Sequence, residues 1–165
     1  MDKKITFAVI TLSDSGYKGE REDLSGKKII EICTNRGFFL SCYEVLPDEK
    51  NLLIEKLIEL SNQKINLILT TGGTGFSDRD STPEATKEVI EKEIPGIPEA
   101  MRNLSLKKTN RAMLTRGVCG IRKKSIMLNL PGSLKAVEEC LSFVIDPLEH
   151  GIDILMGWDK NCART

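Results

Sequence analysis

The sequence predicts an α/β protein of three layers, in which helices cover both faces of a mostly parallel central sheet. Apolar runs of strand length alternate with stretches whose apolar residues recur at helical spacing. The run from Ile65 to Thr71 is apolar on both alternations, as expected of a strand that helices cover on both faces. With 165 residues and no repeats or Pro/Gly-rich linker, the chain is expected to form one domain, residues 1–165.

The first half of the chain is expected to contain three strands and two helices. The strands are predicted at residues 5–12, 38–46 and 65–71. The first helix is expected from Ser25 to Arg36 and ends at Gly37, because glycine readily adopts the left-handed conformation that terminates helices. The second helix has an apolar stripe formed by Leu53, Leu57 and Leu60. Helical connections between the strands imply parallel pairing.

The second half is expected to contain four helices and one more strand. The sequence Thr-Pro-Glu predicts the start of a helix with its N-cap at Thr82, and this helix is expected to run through about Ile94. Another helix is expected within residues 95–108. The apolar run from Ser125 to Leu130 is the predicted strand. An amphipathic helix follows, with apolar residues at Val137, Cys140, Leu141, Val144 and Ile145. Asp146-Pro147 is expected to begin a separate last helix.

Composition and charge argue against several classes of function. The 24 basic and 24 acidic side chains cancel, so neither nucleic acid nor a membrane surface is an expected partner. No apolar run reaches the roughly 18–20 residues that would cross a bilayer. The cysteines contain no C-x-x-C pair and fit neither a disulfide framework nor a zinc site; they are Cys33, Cys42, Cys119, Cys140 and Cys162. A cytoplasmic location with reduced thiols is therefore expected.

Four loops follow strands and are expected to meet in one crevice at the carboxyl ends of the sheet. They are "SDSGYKGERED", "PDEK", "GGTGFSDRDSTPE" and "PGS". The glycines of the third loop allow backbone N–H groups to approach a ligand, and the following helix directs its positive end the same way, which favours an oxyanion. The loop matches neither a Walker A motif nor G-x-G-x-x-G. Turn formation without a ligand remains an alternative for this loop.

Carboxylates in these loops suggest a metal ion. Asp14, Asp48 and Asp80 each follow a predicted strand. Acids are unfavourable beside phosphates unless a hard cation lies between them, and magnesium binds through one or two carboxylates together with phosphate oxygens. The alternative for Asp14 and Asp48, each taken alone, is a turn or N-cap role.

Three segments resemble the molybdopterin adenylyltransferase family, which includes bacterial MogA/MoaB-type proteins and the G domains of gephyrin. They are "TTGGTGFSDRDSTPEAT", "PGIPEAMR" and "NLPGSLKAVEECL", and "TLSDSGYKGEREDLSG" resembles the family's first strand and loop. The resemblance covers about residues 5–157. It implies that ATP and Mg²⁺ are used to adenylylate the terminal phosphate of molybdopterin with release of pyrophosphate. It also implies a homotrimer, or a hexamer, that supplies a downstream molybdenum-insertion protein.

The resemblance assigns roles residue by residue. Asp48 and Asp80 match the two functionally important aspartates, expected to be catalytic and to hold Mg²⁺. The predicted substrate- and nucleotide-binding residues are Ser13, Asp14, Gly72, Gly73, Thr74, Gly75, Thr82, Arg102, Thr115, Asn129, Pro131, Gly132, Ser133 and Lys135. Arg116 is an alternative to Arg102 for the pterin phosphate. Two positions depart from the family pattern, Thr115 where serine is frequent and Leu134 where proline is frequent.

Two other functions remain open from the sequence. The chain could bind molybdopterin, or act as a scaffold, without catalysis, or it could be an unrelated Rossmann-type nucleotide protein. The missing G-x-G-x-x-G argues against the latter. A structural or surface position is expected for His150, a packing or interface position for Trp158 and solvent exposure for Asp78. Cys119 and Cys140 are expected to be buried.

Overall fold

A computed structural model describes residues 3–159 and shows a three-layer α/β fold. The strands are β1 Thr6–Leu12, β2 Phe39–Leu46, β3 Leu67–Thr71, β4 Lys92–Glu93, β5 Cys119–Arg122 and β6 Ser125–Leu130. The helices are α1 Asp14–Tyr17, α2 Leu24–Asn35, α3 Lys50–Asn62, α4 Thr82–Val89, α5 Gly96–Leu106 and α6 Leu134–Met156, with a 3₁₀ helix at Asn110–Leu114. The predicted fold class is therefore confirmed.

The sheet is parallel through its centre and antiparallel at one edge. Its strand order is β2-β1-β3-β6-β5-β4. The pairs β1–β2, β1–β3 and β3–β6 are parallel, whereas β5 runs antiparallel to both β6 and β4. The carboxyl ends of β1, β2, β3 and β6 consequently share one edge of the sheet, which is where the predicted ligand loops lie.

Alternate residues of the central strands pack into two cores, one on each face. Val9, Leu69 and Leu128 pack with α2, α5 and α6, whereas Ile68 and Met127 pack with α3 and α4. Each of these five side chains is fully buried. The predicted stripe of α3 is also confirmed, because Leu53, Leu57 and Leu60 are buried in the second core.

The predicted boundary at Asp146-Pro147 is wrong, because α6 runs through it as one helix of 23 residues. Val144 and Leu148, on either side of the proline, are buried in the same core cluster, as is Ile152 one turn further on. A proline inside a helix removes one N–H donor and costs roughly 3 kcal/mol. Burial of a continuous apolar stripe on both sides of Pro147 offsets that cost.

The helix that begins near Thr82 also differs from the prediction. Its N-cap is Ser81, one residue earlier than expected, and it ends at Val89 rather than near Ile94. Ile90 has an extended backbone, after which Lys92 and Glu93 pair with β5. Both β4 and β5 were missed by the sequence pattern, because they are short edge strands without a long apolar run. None of the helices within residues 3–159 is long and apolar enough to cross a membrane.

Candidate functional site

A cleft of about 440 Å³ opens at the carboxyl ends of the parallel strands. The loops after β1, β3 and β6 contribute Ser13, Gly72 and Gly132 to its lining, and the start of α2 contributes Ser25. Three of the four predicted loops therefore line this cleft. The loop after β2 lies outside it and contacts the loop after β1 at Asp14. The volume suits a small-molecule ligand.

Two long helices start at the cleft with their N-terminal ends. Asp23 caps α2 by accepting a hydrogen bond from the Gly26 N–H at 2.9 Å, and Ser133 caps α6 by accepting one from the Ala136 N–H at 3.3 Å. Helix N-termini carry partial positive charge and favour anions. Because Ser133 caps without adding a negative charge, the start of α6 remains the more favourable of the two for a phosphate oxygen.

Asp23 is a site residue that the sequence reasoning missed. Its Oδ2 atom accepts hydrogen bonds from the Thr11 hydroxyl at 2.6 Å and the Tyr43 hydroxyl at 2.7 Å. These contacts join β1, β2 and the start of α2 around the cleft. An aspartate directly before "LSG" at the start of an amphipathic stretch is the N-cap signal that could have found it.

Gly72 and Gly73 separate the cleft from an acidic group. Both have left-handed backbone conformations, with φ of 92° and 69°, which side chains other than glycine rarely adopt. A Cβ atom on Gly72 would lie 2.4 Å from the Leu12 carbonyl oxygen. One on Gly73 would lie 2.2 Å from the Thr82 hydroxyl and 3.6 Å from the Asp48 Oδ1 atom. The two glycines therefore allow the main chain of the loop to lie close to Leu12 on one side and to Thr82 and Asp48 on the other.

The acidic group is built on a reciprocal contact between Asp14 and Asp48. The Asp14 N–H donates to Asp48 Oδ2 at 3.0 Å, and the Asp48 N–H donates to Asp14 Oδ1 at 2.9 Å. Arg79 binds both carboxylate oxygens of Asp14, at 3.0 and 2.8 Å, and also donates to Glu49 at 2.9 Å. Arg79 thereby connects three loops. Sequence reasoning missed this role because nothing local indicates which acid an arginine faces.

The pKa values reflect this arrangement. The hydrogen bonds from Arg79 hold the pKa of Asp14 below its usual value. The pKa of Asp48 is raised, chiefly by burial and further by the nearby carboxylates of Asp14 and Asp80, against the opposing effect of the Asp14 N–H. Asp48 therefore lies where additional positive charge would be stabilising.

Asp80 lies at the end of the third loop. Its Oδ2 atom accepts a hydrogen bond from the Ser77 N–H at 2.9 Å, and a Cβ atom on Gly75 would lie 2.8 Å from it. Asp78, in the same loop, is exposed as expected. No group of three or more His, Cys, Asp or Glu side chains between residues 3 and 159 is placed to hold a metal ion. A cation here would thus depend on the Asp48–Asp80 pair together with ligand oxygens.

Asn129 is buried rather than open to the cleft, and its side chain is fully used. It is 1% exposed. Its amide donates to the hydroxyls of Thr70 and Thr86 at 3.0 and 2.9 Å and accepts from the Val118 N–H at 3.1 Å. The side chain leaves no amide hydrogen for a ligand, so Asn129 positions β6 against α4 and the start of β5.

The remaining predicted residues divide between the cleft wall and its supports. Thr71 donates to the Pro131 carbonyl at 2.6 Å and Ser25 to the Gly132 carbonyl at 2.9 Å, which fixes the loop after β6. Lys135 is exposed in the first turn of α6. Thr74 and Thr82 are buried.

The Arg102 side chain donates to main-chain carbonyls and does not line the cleft. Its Nη1 atom donates to the carbonyls of Thr115 and Gly117 at 3.4 and 3.3 Å, and these residues line a separate small pocket. His150 lies 16 residues beyond the start of α6, about 24 Å away at 1.5 Å per residue. Cys119 and Cys140 are buried as expected, and Cys162 lies outside the described residues.

The fold and site define an α/β protein with a cleft at the N-terminal ends of two helices, next to the carboxylates of Asp14 and Asp48. A family described as "Probable molybdopterin binding domain" matches residues 8–150. The chain is 42% identical over 158 residues to the molybdopterin adenylyltransferase of Helicobacter pylori strain J99, covering 93% of this chain and 89% of that protein. It is 43% identical over 156 residues to the molybdopterin adenylyltransferase of Escherichia coli K12, covering 90% and 80%.

A solved structure shows the same similarity. The molybdopterin biosynthesis enzyme MoaB of Thermus thermophilus superposes with a TM-score of 0.86 at 40% identity, covering 93% of this chain and 97% of that one. The chain therefore belongs to the molybdopterin-binding family of molybdenum cofactor biosynthesis, which confirms the resemblance seen in the sequence.

Proposed function

We propose that this protein transfers an adenylyl group from ATP to the terminal phosphate of molybdopterin and releases pyrophosphate. The observation that carries the proposal is the position of the third loop, in which Gly72 lines the cleft, Asp48 lies beside Gly73 and Asp80 lies beside Gly75. Adenylyl transfer joins two phosphate groups, so it needs both anion binding and charge neutralisation at one point. The names of the relatives in H. pylori and E. coli support this reaction over simple binding.

The protein's own residues would act by alignment. A phosphate oxygen of molybdopterin attacks the α-phosphorus of ATP, the bond to the β-phosphate oxygen breaks, and pyrophosphate leaves. The N–H groups of the 72–75 loop and the start of α6 at Ser133 would bind phosphate oxygens, and Lys135 would add a positive charge. Holding the two phosphates in line supplies much of the rate acceleration in such reactions.

Asp48 and Asp80 are the residues that would hold Mg²⁺. The donor set fits, because each uses its Oδ2 atom for an internal hydrogen bond, and within the described part of the chain no donor contacts either Oδ1 atom. Burial raises the pKa of Asp48, which means that the ionised carboxylate is unfavourable without a nearby positive charge. A bound cation would stabilise this ionised form. Bound Mg²⁺ would neutralise phosphate charge.

The proposal is tested by measuring pyrophosphate release with purified molybdopterin, ATP and Mg²⁺. Asp80→Asn should lower kcat by roughly 10²-fold or more, because the carboxylate charge is lost from the site. Asp78→Asn is the matched control, since it removes the same charge from an exposed position two residues away in the same loop. Equal turnover in the two variants would remove Asp80 from the mechanism. A wild-type protein that binds molybdopterin without turnover would instead be a binding module.

The assembly, partner and location are further parts of this proposal. The proposed assembly is a homotrimer, or a hexamer built from it. Self-association is supported by large apolar side chains that remain exposed in the single chain, notably Phe76 at 70% and Met113 at 69%. Light scattering coupled to gel filtration measures the subunit number.

The product would pass to a molybdenum-insertion protein. The free thiols of Cys33, Cys42, Cys119 and Cys140 support a cytoplasmic location.

A further inference from the structure

Arg116 joins the segment before β5 to the third loop through its side chain and main chain. Its Nε atom donates to the Gly75 carbonyl at 2.8 Å and its Nη2 atom to the Asp80 carbonyl at 2.9 Å. Its Nη1 atom forms an ion pair with Glu84 in the first turn of α4. The Arg116 N–H donates to the Thr74 carbonyl at 3.2 Å. Each guanidinium nitrogen is therefore bonded to the protein.

These contacts fix both ends of the segment that carries Asp80. Between Gly75 and Asp80, the other hydrogen bonds within the described chain are local contacts of Ser77 with Asp80 and Arg79, together with the side-chain bonds of Arg79 to Asp14 and Glu49. Gly72 and Gly73 are held differently, by contact with Leu12 and by the Thr82 N–H, which donates to the Gly73 carbonyl at 3.1 Å. Arg79 holds the segment from its exposed side but bonds to neither the Gly75 nor the Asp80 carbonyl. Loss of the Arg116 guanidinium would therefore loosen the main chain at Asp80 and leave the cleft wall in place.

We propose that Arg116 is a positioning residue, which holds Asp80 at the correct place by clamping residues 75–80 and does not bind the substrate phosphate. This inference rests on the proposed function, and it replaces the sequence-based suggestion that Arg116 contacts the pterin phosphate. A planar guanidinium can bind two carbonyls and a carboxylate at once, whereas a lysine ammonium is a point charge that cannot reproduce this fork.

The two roles make opposite predictions for Arg116→Lys. A phosphate-binding arginine holds the substrate, so Arg116→Lys would chiefly raise the KM for molybdopterin. A positioning arginine owes its effect to geometry, so Arg116→Lys should lower kcat almost as much as Arg116→Gln. We expect a loss of roughly 10²-fold in kcat, the usual cost of displacing a catalytic group by about 1 Å. The KM for molybdopterin should change little, because Gly72 and the other cleft residues stay in place.

Arg122→Lys is the matched control. Arg122 also bridges elements, donating to the Ser61 hydroxyl at 3.1 Å and the Val89 carbonyl at 3.3 Å, and its side chain is similarly shielded. Its contacts lie at the other end of β5, so kcat should stay near the wild-type value even if the melting temperature falls. Comparable losses of kcat in both lysine variants, in proportion to their losses of melting temperature, would show that Arg116 is merely structural and overturn the proposal.

Amide hydrogen exchange provides a readout that does not depend on turnover. In Arg116→Lys, exchange at the Ser77 and Asp80 amides should accelerate while exchange at Thr82 stays unchanged, because Thr82 is bonded to Gly73. Unchanged exchange at all three amides would refute the clamp even if the wild-type protein lacked turnover. If exchange accelerates in Arg116→Lys but the wild-type protein shows no turnover, the clamp is upheld and the proposed function is refuted. High kcat in Arg116→Lys would also refute the positioning role.

Discussion

Replacement of Gly72 by alanine tests the close approach of the third loop to β1. The new Cβ atom would lie 2.4 Å from the Leu12 carbonyl oxygen, so two main-chain segments must separate until the distance exceeds 3.0 Å. The φ of 92° adds the strain of a left-handed alanine, about 1–2 kcal/mol. Overpacking against a backbone atom adds about 1–3 kcal/mol.

Gly37→Ala separates these two contributions. Gly37 has a φ of 90°, almost the same as Gly72, but a Cβ atom there would meet nothing within 4 Å. The variants therefore share the backbone strain and differ in the contact. Gly72→Ala should melt roughly 3–9 °C below Gly37→Ala, at about 3 °C per kcal/mol for a chain of this size. Calorimetry measures both melting temperatures.

Turnover should distinguish the two variants more sharply. Because Gly72 lines the cleft, a shift of its backbone should lower kcat/KM for pyrophosphate release by roughly 10²-fold, whereas Gly37→Ala should remain near the wild-type value. Equal melting temperatures together with full activity of Gly72→Ala would refute the proposed contact between the loop and Leu12.

Three further predictions concern the supports of the site. Asn129→Leu should destabilise the protein by about 3 kcal/mol in urea unfolding, because three buried hydrogen bonds lose their partner; a change below about 1 kcal/mol would contradict this network. Arg79→Gln should lower kcat by roughly tenfold or more, since Asp14 loses both contacts that brace it against the loop after β3, and unaltered steady-state kinetics would show that this brace is dispensable. Burial raises the pKa of Cys33 and Cys119 to about 12, so both thiols should remain protonated and resist a thiol-specific reagent at pH 8 until the protein is denatured; rapid labelling of either in the native protein would contradict the buried position.

The elements with strong local signals could be predicted from the sequence. The glycine that ends α2 and the stripe of α3 depend on neighbours only a few residues away, and both are confirmed. Asp146-Pro147 shows the limit of such signals. An Asp-Pro pair is a common helix start, but the burial of Val144 and Leu148 in one core decides the outcome, and only the folded chain brings that core together.

The same distinction applies to the site. The loops at the strand ends could be predicted because parallel strands place their carboxyl ends at one edge. The partners of individual side chains could not, because Asn129 is 43 residues from Thr86 and Asp14 is 34 residues from Asp48. A polar residue in a family motif can bind a ligand or support the residues that do. Its hydrogen bonds in the folded protein distinguish these roles.

The antiparallel direction of β5 decides which part of the chain completes the site. Because β5 runs against β6, its first residue lies at the same edge as the ligand loops, and Arg116 reaches Gly75 across 41 residues of chain. The pairing of β3 with β6 already joins residues 59 apart, Thr70 and Asn129, and β5 is connected to β6 by a tight hairpin. Once β6 has docked, Arg116 therefore reaches the third loop without a further long loop closure. Under the proposed mechanism, the strand that completes the parallel sheet thus also brings the clamp to Asp80, so that binding and catalysis would be acquired together.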